Sequence, residues 1–197
     1  MSDDSVTEAA IREVVERVVR RTLGMNAATP TAAPTATHAG NGAGRKLAIG
    51  ADHGGYQLKE TLEAFLKEQG YIVTDCGTHS TDSVDYPDFA YAVARLVSTG
   101  VVSEGIIIDG AGIGSSIAAN KVPGVRAALC YDYATAVNSR EHNHANVLTL
   151  GAGLIGPSLA KQIVHTWLNT GYGGDRHARR VQKITAIEQR FLKERAT

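Results

Sequence analysis

One stretch of the sequence, EGIIIDGAGIGSSIAANK at residues 104–121, combines an apolar run, a carboxylate and closely spaced glycines. Asp109 ends the apolar run, and Gly110, Gly112 and Gly114 follow it before a helix-like segment. Glycine N–H groups and the dipole of a helix N-terminus together form a cradle for an anion. The stretch therefore predicts a site for a small oxyanion or a phosphate-bearing ligand.

The spacing of these glycines bears on which ligand the loop would hold. It reads G-x-G-x-G after the third predicted strand, whereas a dinucleotide fingerprint is G-x-G-x-x-G in the first βα unit. The sequence also has no Walker loop, no HExxH helix and no Ser-His-Asp order. The pattern favours a small anionic ligand over a dinucleotide.

Further polar residues border other predicted strands. Asp52 and His53 precede a glycine pair, Tyr86 precedes a turn-forming proline in VDYPD, and EHNHANV places His142 and Asn143 just before a strand. We expect these side chains to converge on one edge of the sheet. Asp52 alone could be a helix cap. The histidine-bearing segments match no metal-ligand spacing, so no metal is predicted.

The elements that must position these residues alternate along the chain. Strands are predicted at KLAIGAD, YIVTDCG, GIIID, RAALCYD and NVLTLG, and helices at 56–69, 88–99, 115–121, 133–140 and 157–170. Strand and helix in rotation imply parallel crossovers, hence an α/β, three-layer αβα sandwich with a mostly parallel five-stranded sheet. Ligands bind such sheets beyond the carboxyl ends of the strands.

Composition excludes several classes of partner. The 197 residues include 20 Lys and Arg against 20 Asp and Glu, which gives no electrostatic reason to expect nucleic acid or a membrane surface. No apolar run approaches the roughly 20 residues of a transmembrane helix, and no secretory core is evident, so we expect a soluble, cytoplasmic protein. Cys76 and Cys130 are expected to be buried free thiols.

The chain divides into three predicted parts. Residues 1–24 have apolar side chains at helical spacing and a capping-box pattern, which indicates a short amphipathic helix. Residues 25–45 consist largely of Ala, Thr, Pro and Gly and form a predicted flexible linker. Residues 46–197 form the main domain with a C-terminal helix.

Several motifs in this domain resemble the ribose-5-phosphate isomerase B family, which includes the galactose-6-phosphate isomerase subunits. They are GADHGGYQLKE, SVDYPDFA, GAGIGSSIAANKVPGVRAAL, SREHNHANVLTLGAGLIGP and DRHARRV. The resemblance covers about residues 46–190. It implies a Rossmann-like fold, a homodimer or tetramer with active sites at subunit interfaces, and interconversion of aldose and ketose phosphates without a metal or organic cofactor.

The resemblance also implies roles for individual residues. Asp52 and His53 would contact the sugar and its phosphate, Tyr86 would line the pocket, His142 would assist opening of the furanose ring, and Asn143 would hold sugar hydroxyls. The loop of Gly110, Ala111, Gly112, Ile113, Gly114 and Ser115 would stabilise an enediolate. Arg176 and Arg180 of a neighbouring subunit would bind phosphate. Without the resemblance, their segment reads equally well as a solvated surface helix.

This sequence departs from the family at the catalytic loop. Many members have a cysteine base at the position of Asp109, and others a glutamate at Ser115. We hypothesise that Asp109 is the base, because a carboxylate is ionised at neutral pH. Ala111 replaces a hydroxyl residue, and Gly153 an arginine near the phosphate. A different sugar phosphate, tetrose or hexose, or an inactive binding or structural subunit are therefore the alternatives.

Residues 1–24 precede the family region. A short amphipathic helix on a linker resembles the encapsulation peptides that direct enzymes into bacterial microcompartments, since its apolar stripe must bury against a partner. This predicts shell or core proteins as partners and the microcompartment lumen as location. The alternative is that the helix packs on its own domain or within the oligomer.

Overall fold

The computed structural model describes residues 42–194. The predicted helix at 1–24 and residues 25–41 of the predicted linker lie outside the described residues. The sheet has strands β1 (Lys46–Ala51), β2 (Ile72–Asp75), β3 (Glu104–Asp109), β4 (Ala127–Leu129) and β5 (Val147–Gly151). All pairs are parallel, in the order β2-β1-β3-β5-β4. The predicted α/β class and its five strands are confirmed.

Six helices connect or follow the strands within residues 42–194. They are α1 (Tyr56–Glu68), α2 (Tyr86–Ser98), α3 (Ile113–Ala119), α4 (Tyr133–Glu141), α5 (Pro157–Asn169) and α6 (Asp175–Glu194). The predicted ends of the first five lie within two residues of those observed. None of these helices is long and apolar enough to span a membrane.

The helices cover both faces of the sheet, which makes three layers. Helices α1, α4 and α5 bury one apolar cluster around Leu62, Leu148 and Trp167. Helices α2 and α3 bury a second cluster around Val93 and Ile107. Every residue of β3 is buried, as expected for a central parallel strand covered on both faces.

The direction in which the chain winds reverses at β1. Strand β2 lies on one side of β1 and β3 on the other, with Ala51 paired to Ile108. Asp52 follows β1 and Asp109 ends the neighbouring strand β3, so both residues lie at the carboxyl edge of the sheet. Ligands of open α/β sheets bind in the crevice at such a reversal.

A buried ionic cluster lies at the opposite, amino edge. Glu104 is 2% exposed and accepts two hydrogen bonds of 2.8 Å from Arg45 and one of 3.0 Å from Arg140. Arg45 also donates to the carbonyl of Leu168, and Arg140 to the carbonyl of Ala145. Arg45, assigned by sequence to the linker, is thus held against the folded domain.

Removal of the Glu104 carboxylate should destabilise the fold strongly. Glu104→Ala leaves Arg45 and Arg140 without their shared counter-charge, which costs about 3–5 kcal/mol for a buried pair. Urea unfolding followed by circular dichroism measures the loss. Lys67→Ala is the control, because it breaks the surface pair with Glu63 (2.6 Å) and should cost only about 0.3–0.5 kcal/mol. Equal losses in the two variants would contradict the assignment of Glu104 to a buried cluster.

Candidate active site

Asp109 lies at the centre of the carboxyl edge and its carboxylate is enclosed by backbone N–H groups. Its side chain is 5% exposed. Oδ1 accepts hydrogen bonds from the N–H groups of Ala111 (2.7 Å) and Gly112, and Oδ2 accepts one from Ser115 (3.0 Å). A carboxylate offers about four lone-pair positions, so one on Oδ2 remains for another donor. The glycine-rich loop does hold an anion, and that anion is its own aspartate.

The loop retains donors that Asp109 does not use. Ile113 and Gly114 occupy the first turn of α3, where N–H groups have no intrahelical acceptor. No acceptor within residues 42–194 faces either group. Gly112 has φ +76° and caps the helix in a left-handed conformation. These two first-turn amides therefore remain without an acceptor within the described residues.

Neighbouring segments fix the loop in place. The N–H groups of Ala152 and Gly153 donate to the carbonyls of Asp109 (2.8 Å) and Gly110 (2.9 Å), and the hydroxyl of Tyr131 donates to that of Ala111 (3.0 Å). Tyr131 was not predicted as a site residue. Its position directly after the β4 segment was the only available signal.

Asp52, His53 and Tyr86 surround the same loop. Asp52 is 8% exposed, and its Oδ1 accepts the N–H of Gly55 at 2.9 Å. The N–H belongs to Gly55, which is itself the N-cap of α1, so Asp52 braces the turn before α1 and the helix-cap alternative is wrong. Nδ1 of His53 lies 3.2 Å from both N and O of Val84, which leaves Nε2 for a ligand. The Tyr86 ring covers Gly114 so closely that an added Cβ would lie 2.6 Å from it. The structure brings these residues together.

His142 and Asn143 lie at the other edge of the sheet. The prediction that all these side chains converge on one edge is therefore wrong within a single chain. They follow α4 and precede β5, whose first residue, Val147, pairs with Gly105 at the start of β3. The five residues of β5, about 15 Å of strand, separate them from Asp109. A residue that precedes a strand lies at the amino edge, which is the opposite edge from the glycine loop.

Arg176 and Arg180 lie with His142 at the amino edge. They begin α6, whose attachment is set by the N–H of Gly173 donating to Glu141 (2.9 Å) and by a stack of His177 on His142. Arg176 and Arg180 are exposed, and no carboxylate within residues 42–194 pairs with either. The predicted site residues thus form two sets, one at each edge of the sheet.

The remaining ionisable clusters have structural explanations. Glu60, Glu63 and Asp75 lie close enough to hold a cation. However, the ammonium group of fully buried Lys59 is 2.6 Å from Asp75 and 3.0 Å from Glu60, and supplies the positive charge. Cys76 and Cys130 are buried free thiols, as predicted. Burial raises the pKa of Cys76 to about 12 and also raises that of Cys130.

The fold and the carboxyl-edge loop define a parallel α/β protein with a glycine-rich loop and a buried carboxylate at its topological switch point. Comparison with known proteins makes this specific. Residues 47–184 match the Ribose/Galactose Isomerase family, and the chain belongs to that family. The predicted resemblance is confirmed. Residues 1–46 precede the match.

Individual relatives agree with the family match. Ribose-5-phosphate isomerase B of Escherichia coli K12 is 49% identical over 146 residues, which cover 74% of this chain and 98% of that protein. A D-erythrulose-4-phosphate isomerase of Pectobacterium atrosepticum is 43% identical, covering 72% and 94%. The solved structure of Clostridium thermocellum ribose-5-phosphate isomerase B is 54% identical with a TM-score of 0.73, covering 74% and 99%.

The glycine loop should not tolerate a side chain at residue 112. In Gly112→Ala the new Cβ would lie 2.5 Å from Leu129 and 2.8 Å from the backbone of Leu150. The matched control is Gly100→Ala, because Gly100 has a similar φ of +74° and nothing within 4 Å of an added Cβ. The control should lose only the left-handed strain of about 1–2 kcal/mol. Gly112→Ala should lose more stability in denaturant unfolding, together with sugar-phosphate isomerase activity; equal stability losses would contradict the clash.

Proposed function

We propose that this member of the family interconverts an aldose phosphate and a ketose phosphate, of the ribose 5-phosphate and ribulose 5-phosphate type. The observation that carries the proposal is a carboxylate at the switch point with two unused helix N–H groups beside it. A base and an oxyanion site are the two devices that isomerisation between C1 and C2 requires. The names of the relatives support the same substrate class.

Asp109 is the base in this proposal. From the open aldose its free Oδ2 lone pair takes the proton on C2; the C–H electrons form the C1–C2 double bond, and the carbonyl electrons move to O1. The N–H groups of Ile113 and Gly114 stabilise the resulting enediolate oxygen. Return of the proton to C1 and formation of the C2 carbonyl give the ketose. The hydroxyl proton must also pass from O2 to O1, and Ala111 offers no side-chain oxygen for that transfer.

A second copy of the chain completes the site. His142, Asn143, Arg176 and Arg180 cannot reach Asp109 of their own chain, but in a homodimer the amino-edge set of one copy can face the carboxyl-edge set of the other. Arginine forks suit a phosphate group. This arrangement extends the interface site implied by the resemblance, because it also assigns His142 and Asn143 to the neighbouring subunit.

Exposed apolar residues support that pairing. Ile113, Ile117 and Leu154 are 52%, 58% and 60% exposed around the carboxyl edge. Ile187 and Phe191 are 56% and 59% exposed on α6. Two-fold pairing brings one patch of each copy onto the other patch of its partner, which is the self-complementarity of a closed dimer.

Replacement of Asp109 tests the base. Asp109→Asn keeps an oxygen for two of the loop N–H groups but cannot take a proton, so solvent deuterium exchange into C1 of ribulose 5-phosphate should fall about 10²–10⁴-fold. Mass spectrometry of the recovered sugar measures the exchange. Exchange that survives at the wild-type rate would remove Asp109 from the mechanism.

Asp109→Cys separates the base from the loop anchor. A thiolate can accept a proton, but it cannot accept three backbone hydrogen bonds as a carboxylate does. If Asp109 is the base, the cysteine variant should recover part of the exchange lost in the asparagine variant. If its role is only to hold the loop, both variants should be equally inactive and equally destabilised, and the chain would be the inactive subunit considered above.

The number of carbon atoms in the sugar is a separate question from the base. A relative named for D-erythrulose 4-phosphate is 43% identical. Gly153, in the segment after β5, stands where the family resemblance implies an arginine near the phosphate. A tetrose phosphate is therefore an alternative substrate. Comparison of kcat/KM for pentose and tetrose phosphates on the same preparation decides between them.

The N-terminal segment serves targeting in this proposal. Residues 1–24 would bind microcompartment shell or core proteins. Deletion of residues 1–41, which retains the buried contacts of Arg45, should leave isomerase activity and unfolding unchanged and abolish co-purification with shell proteins. Retained co-purification would contradict a targeting role. Loss of folding would favour the alternative that the helix packs on its own domain.

A further inference from the structure

Two histidines at the amino edge, one of them from that set, are stacked face to face. The imidazoles of His142 and His177 have centroids 4.2 Å apart and planes within 4° of each other. His177 is 8% exposed, whereas the side chain of His142 is 34% exposed. The stack therefore presents one face of His142 outward and covers the other with a buried ring. Sequence reasoning gave no role to His177.

The stack is the main constraint on the orientation of His142. Within residues 42–194 no hydrogen bond to its ring fixes it, since the carboxylate oxygen of Glu141 lies 3.9 Å from Nε2, which is too far for one. Functional histidines are usually oriented by a hydrogen bond at the second ring nitrogen. In this chain the stacked ring of His177 orients His142 instead, because rotation of the His142 ring about its Cβ–Cγ bond would break the stack.

His177 is itself fixed. Its backbone N–H donates to the carbonyl of Gly174 (2.8 Å), and its ring nitrogen Nε2 accepts a hydrogen bond from Nε of Arg176 (3.3 Å). The groups that face it are His142, Arg176, Arg180 and Glu141. Burial, His142 and the two arginines lower the pKa of His177 and outweigh the carboxylate of Glu141. A neutral ring stacks on His142 without charge repulsion and can accept the arginine N–H.

We infer that His177 is a positioning residue that holds the His142 imidazole in the plane needed to open a cyclic sugar phosphate. The inference rests on the proposed function and on the ring-opening role implied for His142. In that step the O1 hydroxyl of the furanose gives its proton to solvent water and becomes the carbonyl, the electrons of the breaking C1–O4 bond go to O4, and O4 takes the proton of a protonated His142 imidazole, which is left neutral. A misoriented imidazole cannot deliver that proton.

The chemistry of the two sugars separates this step from enediolate formation. Ribose 5-phosphate closes a five-membered ring through O4, so the enzyme must open it. Ribulose 5-phosphate has its carbonyl at C2 and phosphate on O5, which is the oxygen that a five-membered ring would need. It is therefore open-chain, and exchange of its C1 hydrogen with solvent needs Asp109 but no ring opening.

The experiment compares His177→Ala with His177→Phe in the full-length chain. In His177→Ala, conversion of ribose 5-phosphate should fall about 10–100-fold, within the range of general acid–base catalysis, because the stack is lost. Deuterium exchange from D2O into C1 of ribulose 5-phosphate should stay within about twofold of wild type. His177→Phe retains a stacking ring and should keep most of the conversion rate.

A neighbouring stack provides the matched control. Tyr172 packs on His144 with the same 4.2 Å separation and planes within 7°. Tyr172→Leu removes an equivalent ring contact between the same two segments without touching His142, and both rates should remain near wild type. Equal loss of conversion in Tyr172→Leu and His177→Ala would overturn the inference in favour of general packing.

The other outcomes are also decisive. A parallel fall of conversion and exchange in His177→Ala would mean that His177 contacts the substrate itself, and unchanged conversion would mean that the stack has no role; either overturns the inference. If His177→Ala does not fold, His177→Phe provides the test. A fall in its rate of ribose 5-phosphate conversion as large as the fall in His142→Ala would overturn the inference as well. Absence of exchange in the wild-type protein would instead refute the proposed function.

Discussion

The hydrogen bonds between the Asp109 carboxylate and its own loop are the interaction on which the site depends. Three backbone N–H groups, from Ala111, Gly112 and Ser115, converge on one side chain, and their convergence fixes the start of α3. Within the described residues, the first-turn amides of Ile113 and Gly114 then have no acceptor. One residue thereby shapes the glycine-rich loop and, in the proposed mechanism, performs the proton transfer next to it.

The sheet imposes the second constraint. Parallel strands place everything that follows a strand at one edge and everything that precedes a strand at the other. The chain has its glycine loop, Asp52 and Tyr86 at the first edge, and its histidine pair and arginines at the second. No loop movement of a few ångströms can join sets that a whole strand separates. A functional site that uses both sets must therefore be built from two molecules.

Much of the fold could be predicted because buried parallel strands read as short apolar runs and the helices between them carry clear ends. The carboxyl-edge residues could be predicted for the same reason, since Asp109 directly ends such a run. The bonding of Asp109 could not, because the sequence does not specify which N–H groups a turn directs inward. The edge predicted for His142 was wrong because the prediction used its closeness to a strand and ignored that it precedes the strand, which places it at the amino edge. The motif containing His177 was recognised, but the ring on which it stacks is 35 residues away in the sequence.

Arg45 has a consequence for anything attached upstream of the domain. Its guanidinium is bound to both oxygens of Glu104 and to the carbonyl of Leu168, immediately before the first strand begins. Mechanical load applied to the preceding residues would reach this clamp before it reached β1. The clamp thus separates whatever is attached upstream from the strand that leads to Asp52.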